Sequence, residues 1–327
     1  MVNEFIRIEE RFLRFSRNDN LVTSVDIYRQ SKNLSFDFDN NQNEKYFEEA
    51  ENKAETPEAL ARLGDAHIAR GRIESALQRY RKAVNLADEN GEAGHRASLG
   101  DAYVYADQTL SALREYRRAI RKSPRRAQPH FSLAELYRRY GKLHAALVEY
   151  RNAIECDPKN AYYHYKLGDA LCESGFVPEA IGELEAAVEL EPSDAFYHFW
   201  ISDLYLMAGR LTDSIREMQQ AAMFAPYDDY YNMRLGVLYM LGRHTSDAAG
   251  ALKQAVKLSG TNAIYHSLLG DVFSTDSMQE ALANYHYEMA GPLDDYDAEH
   301  LRRLRKLIQL RQDPPNSNGR NGFSPHE

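Results

Sequence analysis

Residues 160–171 read NAYYHYKLGDAL. Three tyrosines and a histidine fill positions 162–165, and Leu167-Gly168-Asp169 follows at once. The Leu-Gly pair decides the fold because it returns. Leu63-Gly64, Leu99-Gly100, Leu133-Ala134, Ile201-Ser202, Leu235-Gly236 and Leu269-Gly270 stand in the same relation to their surroundings. The first step is 36 residues and each of the next five is 34. A fixed period of this length marks one supersecondary unit stacked on copies of itself.

Other columns keep the register. With the glycine as position 8, position 20 holds Ala76, Ala112, Ala146, Ala180, Ser214 and Ala248. Position 24 holds Tyr80, Tyr116, Tyr150, Leu184, Met218 and Leu252, and position 27 is alanine from Ala83 to Ala255. Apolar residues at steps of three and four lie on one helical face. Two such faces fit in the period, so each unit is a pair of helices of about 14 residues, ~20 Å long. Gly71, Gly141, Gly175 and Gly209 fall between the two helices, where a residue with positive φ ends the first. Pro124, Pro158, Pro192 and Pro226 end the second, since proline cannot continue a helix.

In these columns the chain resembles the tetratricopeptide repeat (TPR) family over about residues 57–290, seven repeats. The resemblance implies an all-α fold, a right-handed α-solenoid of stacked helix-turn-helix units with a C-terminal capping helix. Three departures are visible. Position 4, usually a large aromatic in the family, is His130, His164, His198 and His266; one residue is missing between Gly270 and Ala281; two extra residues sit near 89–92. The implied organisation is an N-terminal amphipathic helix and polar linker over 1–55, including a decayed repeat around Tyr46, Phe47 and Ala50. Repeats follow over 56–290, a capping helix over 291–312 and a disordered tail over 313–327.

The totals narrow the function. The 327-residue chain has a net charge of −9, unlike the basic domains of general nucleic-acid binders. Cys156 and Cys172 lack the spacing of a metal or redox pair, so no disulfide framework is expected. The N-terminus carries charge every two or three residues and does not read as a secretory signal. No stretch approaches the roughly 18 apolar residues of a membrane span. The expected location is the cytoplasm.

No motif for catalysis is found: no phosphate loop, no G-x-S-x-G, no H-E-x-x-H. No enzyme activity, cofactor, small-molecule substrate or metal is therefore expected. The position-4 histidines recur one repeat apart, roughly a helix-packing distance of 8–10 Å. That is too far to share a zinc ion, and they read as structural. Asp37 to Glu48 begins like a calcium loop but has Gln42 where the sharp turn needs glycine.

The resemblance implies that positions 2, 5, 9, 12 and 13 of each first helix line a concave face. Over repeats three to six these are Phe131, Tyr162, Tyr165, Phe196, Phe199, Leu206, Met207, Tyr230, Met233 and Met240. Half-exposed rings in such numbers make a patch of roughly 400 Å², large enough to mark an interaction site. Position 9 is a column of acids: Asp65, Asp101, Glu135, Asp169, Asp203 and Asp271. Acids there would repel a terminal carboxylate, which disfavours the chaperone-tail clamp known in the family. They favour a basic, apolar peptide or helix as partner, lying in an aromatic groove across repeats four to six. The expected function is a protein-interaction scaffold or adaptor.

Two alternatives stand beside it. From Arg114 to Lys142 there are ten Lys and Arg against two Glu. Arg114, Arg117, Arg118, Arg121, Arg125 and Arg126 lead this cluster, which suits a polyanion such as RNA or an acidic protein. Phe5, Ile8, Phe12 and Phe15 form an anchor stripe at the N-terminus, which suits a self-associating assembly factor or homo-oligomer.

Overall fold

The computed structural model describes residues 56–312, and the expectations for 1–55 and for the tail lie outside them. The described residues form 15 α-helices and one short 3-10 turn, with no strand among them. They fall into two compact units, 56–190 and 191–312.

The first unit holds four helix pairs. These are α1 (Pro57–Ala69) with α2 (Ile73–Leu86), α3 (Glu89–Tyr105) with α4 (Thr109–Lys122), α5 (Ala127–Arg139) with α6 (Leu143–Cys156), and α7 (Ala161–Glu173) with α8 (Val177–Leu190). The second unit holds α9 (Ala195–Met207) with α10 (Leu211–Phe224), α11 (Asp229–Leu241) with α12 (Thr245–Leu258), and α13 (Ala263–Ser274) with α14 (Glu280–Ala290). A final helix, α15 (Asp295–Gln312), follows.

Local chemistry sets the ends. The first helix of a pair starts on a side-chain cap in six of the seven repeats: Thr56, Asp88, Asn160, Asp194, Asp228 and Asn262 each accept from a backbone N–H of the first turn. The turn inside the pair needs a left-handed residue. Gly71, Gly141, Gly175 and Gly209 supply it with φ between +68° and +88°, while Asp107 and Arg243 take the same role at +56° and +59°.

The repeated Leu-Gly pair is explained by a close crossing. A Cβ on Gly100 would lie 2.4 Å from the Tyr116 ring, and one on Gly168 would lie 2.2 Å from the side chain of Leu184. Position 8 of the first helix thus sits against position 24 of the second. Tyr80, Tyr116 and Tyr150 are fully buried there, each contributing on the order of 2–3 kcal/mol by leaving water.

A helix stands where the C-terminal capping helix is expected. α15 packs on α11 and α13, the first helices of their pairs. Leu282, Tyr285 and Met289, a stripe on α14, stay about half exposed. α15 buries Leu301, Leu304, Leu307 and Ile308 along the first-helix face of its own unit.

Candidate functional site

The acids of position 9 are engaged by the chain's own side chains. Tyr80 donates to Asp65 at 2.5 Å and Tyr116 to Asp101 at 2.7 Å, each tying the second helix to the first. Tyr150 does the same to Glu135. Bases from neighbouring repeats complete the set. Lys166 pairs with Glu135 at 3.0 Å and Arg138 with Asp169 at 2.7 Å. In the second unit Arg234 pairs with Asp203, both buried, and Arg305 of α15 grips Asp271 with two bonds of 2.7 Å. The acids are spent on the chain's own donors, and the expected preference for a basic ligand loses its basis. Burial pushes the Asp203 carboxyl up from its ordinary value against the pull of Arg234, as expected where desolvation outweighs the ion-pair attraction.

The position-4 histidines are structural stitches. His130, His164 and His198 each hold a glutamate of the paired helix, Glu149, Glu183 and Glu217, through Nδ1 at 2.7–2.8 Å. Each turns Nε2 to the carbonyl of Pro124, Pro158 or Pro192 in the turn before its repeat. One imidazole thereby joins two helices and the preceding turn. The glutamate bond raises His130 and His164 above the usual histidine value of 6.5. At His198 burial is the strongest single influence and pulls the value down, but the Glu217 and Pro192 bonds and the nearby carboxylates together raise it. In the second repeat Arg96 stands at position 4 and pairs with Glu115 at 2.6 Å. At the seventh, His266 meets His286 at 3.0 Å, and burial with the neighbouring charges lowers His286. The glutamates recur every 34 residues, so their spacing carried this signal. Lys166 and Arg234 share position 6 with Arg62, Ser98, Ser132, Trp200 and Leu268, and no column announces them.

In the first unit the expected rings are brought together. Phe131 on α5 lies 5.6 Å from Tyr162 on α7, and Tyr162 lies 5.9 Å from Tyr165, all three only partly buried. Phe131 also stacks on Tyr163 at 4.9 Å, and Tyr163 is buried as a packing residue. Lys166 sits 6.0 Å over the Tyr162 ring.

In the second unit the outcome differs. Phe196, Tyr230 and Met240 keep partial exposure, but Phe199, Leu206, Met207 and Met233 are buried. Phe199 meets Trp200, Tyr230 and Tyr231 at 5.4–5.8 Å, with Arg234 6.0 Å away over its ring. These buried residues are core and not an open groove, a correction with a physical cause. Adjacent first helices bring rings within contact of each other, and the chain's own α15 packs on α11 and α13.

The basic segment is partly neutralised. Arg118 pairs with Glu115 at 2.7 Å, Lys122 with Glu92 at 3.1 Å and Arg138 with Asp169, while Arg117 donates to the Tyr137 hydroxyl. Arg114, Arg121, Arg125 and Arg126 are exposed. Among the described residues no group of three or more His, Cys, Asp or Glu is arranged to hold a metal ion, and no helix is long and apolar enough to cross a membrane.

Three family models match this chain: TPR repeat over residues 135–175, and tetratricopeptide repeat over 165–229 and over 57–90. The match over 57–90 spans α1 and α2. The chain is a tetratricopeptide repeat protein. No curated protein matches this TPR chain. Among solved structures it is similar to PilF of Pseudomonas aeruginosa, with 18% identity over 65% of this chain and 98% of the other, at a TM-score of 0.50. A tetratricopeptide repeat protein from Parabacteroides merdae shares 17% identity over 79% of this chain and 99% of its own, at 0.49. YrrB, described as a TPR protein with an unusual peptide-binding site, shares 17% over 57% and 97%, at 0.48. At these identities the likeness to PilF speaks for the fold alone.

Proposed function

We propose that this TPR protein is an interaction scaffold that receives an apolar segment of a partner on the first-helix face of residues 127–173. The observation that carries this reading is the cluster of Phe131, Tyr162 and Tyr165, three partly exposed rings in contact across two adjacent first helices. Partly exposed aromatic rings on a rigid surface are the usual anchors of a protein interface. Two neighbouring acids, Glu135 and Asp169, are bound to Lys166 and Arg138. Selectivity therefore comes from apolar side chains fitting between the rings, with no requirement for a basic partner.

The test is a pull-down from native lysate with quantitative mass spectrometry, comparing wild type with Phe131→Ser/Tyr162→Ser. A photo-crosslinking residue at Tyr165 locates the contact. The reading predicts at least one partner that is lost at least tenfold in the double variant and crosslinks at position 165. Identical catches would overturn it. A catch that survives the double variant but disappears as salt rises would assign binding to the exposed arginines of α4 and the following turn, because phosphate contacts weaken steeply with salt.

A further inference from the structure

Helix α15 occupies a face that reads as a helix-binding site in its own right. Its stripe Leu301, Leu304, Leu307 and Ile308 is buried, with exposures between 1% and 8%. The helix lies chiefly on α11 and α13, the first helices of their pairs. Two polar contacts fix its direction. Arg305 grips Asp271 near its middle, and Arg311 near its end donates to the Gly209 carbonyl at 3.2 Å. The remaining surface of α15 carries Arg302 and Arg303, each bonded to Glu299. This is an amphipathic helix in a groove, held by anchors at helical spacing and one charge clamp.

The tether is short. Only four residues, Gly291 to Asp294, separate α14 from α15, and Gly291 has a φ of +60°. A displaced α15 would not have to leave its stripe in water. Leu282, Tyr285 and Met289 form an exposed stripe on α14, immediately before the tether. The second unit therefore has two apolar faces and one helix to cover them.

We infer that the face formed by α11 and α13 is a second docking site, filled in cis by α15 and opened to a partner that supplies a helix of the same chemistry. That occupant has aliphatic residues at i, i+3, i+6 and i+7 and an arginine at i+4 to take Asp271. The site is separate from the Phe131–Tyr165 cluster, so failure of one reading leaves the other standing. Because the cis helix competes at the high effective concentration of a short tether, a free helix binds poorly until α15 is loosened.

The experiment uses the full chain and a fluorescein-labelled synthetic peptide with the sequence of residues 293–312. Peptide binding is read by fluorescence anisotropy for wild type and for Leu304→Asp/Arg305→Glu. The inference predicts binding about tenfold tighter or more in the variant than in wild type. It also predicts loss of that binding when the peptide itself carries Leu304→Asp. Far-UV circular dichroism checks that the other helices remain. If the double variant does not fold, Leu307→Ala loosens the same helix by truncation alone and carries the test, with a gain of about threefold or more over wild type. A folded variant that binds the peptide no more tightly than wild type overturns the inference.

Discussion

The two units present the same face built in different ways. In residues 56–190 position 5 of the first helices is Ala61, then Ala97, then Phe131, and the rings of Phe131, Tyr162 and Tyr165 remain partly open. In residues 191–312 the same face carries Phe199, Leu206, Met207 and Met233, and they are buried. The second unit also has a helix of its own laid on α11 and α13. An apolar column therefore says that a face will be covered, and not by what. Where the chain continues with an amphipathic helix, the chain itself is the first candidate.

The sharpest way to break this comparison uses one position in both units. Arg234 and Lys166 both stand at position 6 and both reach a position-9 acid of the preceding repeat. Asp203 is 3% exposed and its ion-pair partner is Arg234, whereas Glu135 is only part-buried and also accepts from Tyr150. Arg234→Leu leaves a buried carboxylate without its counter-ion and should cost about 3–5 kcal/mol. Lys166→Met should cost less, about 1–3 kcal/mol, because Glu135 is less deeply buried and keeps the Tyr150 hydroxyl as a donor. Chemical denaturation of both variants measures the difference. Equal losses would mean that the two faces are equally wet.

A smaller effect, opposite in sign between the units, should appear with pH. His130 and His164 have values raised above 6.5, so their contribution is complete below that pH and is lost as pH rises through the folded values. Glu149 is lowered from 4.5 because its bonds to His130 and Asn152 outweigh burial, so its contribution is lost as pH falls below that range. The first unit should be most stable from about pH 5 to 6.5. In the second unit burial, with nearby cations, lowers His286 and His300. Their contribution is present above 6.5 and is lost as pH falls through the folded values, opposing the gain from His198. Hydrogen exchange followed from pH 7.5 to 5.5 should show α5 to α8 gaining protection relative to α13 to α15. A parallel response in both units would remove the distinction.

Much of the fold was legible in the sequence. Five steps of 34 residues fixed the helix pairs, the turns and the buried columns, because each column answers a local need such as a close crossing, a cap or a left-handed turn. The structural role of His130, His164 and His198 was legible as well, although their glutamate partners were overlooked. The site was less legible. Tyr163 is buried while Tyr162 and Tyr165 are partly exposed, a difference that follows helical phase. The burial of Phe199 and Met233 and the neutralisation of the acids depend on contacts between repeats. Those contacts come from single residues, Arg138, Lys166, Arg234 and Arg305, that form no column. The course of α15 was hidden for a related reason. Its stripe fits any apolar face, and its Arg305–Asp271 clamp is formed across 34 residues of chain.

The central claim, that α15 covers the first-helix face of the second unit alone, is tested most directly by hydrogen exchange on full-length Leu304→Asp. The account predicts faster exchange in α11 and α13, and unchanged exchange in α5 and α7. Unchanged protection of α11 and α13, or an equal loss in both units, would contradict it.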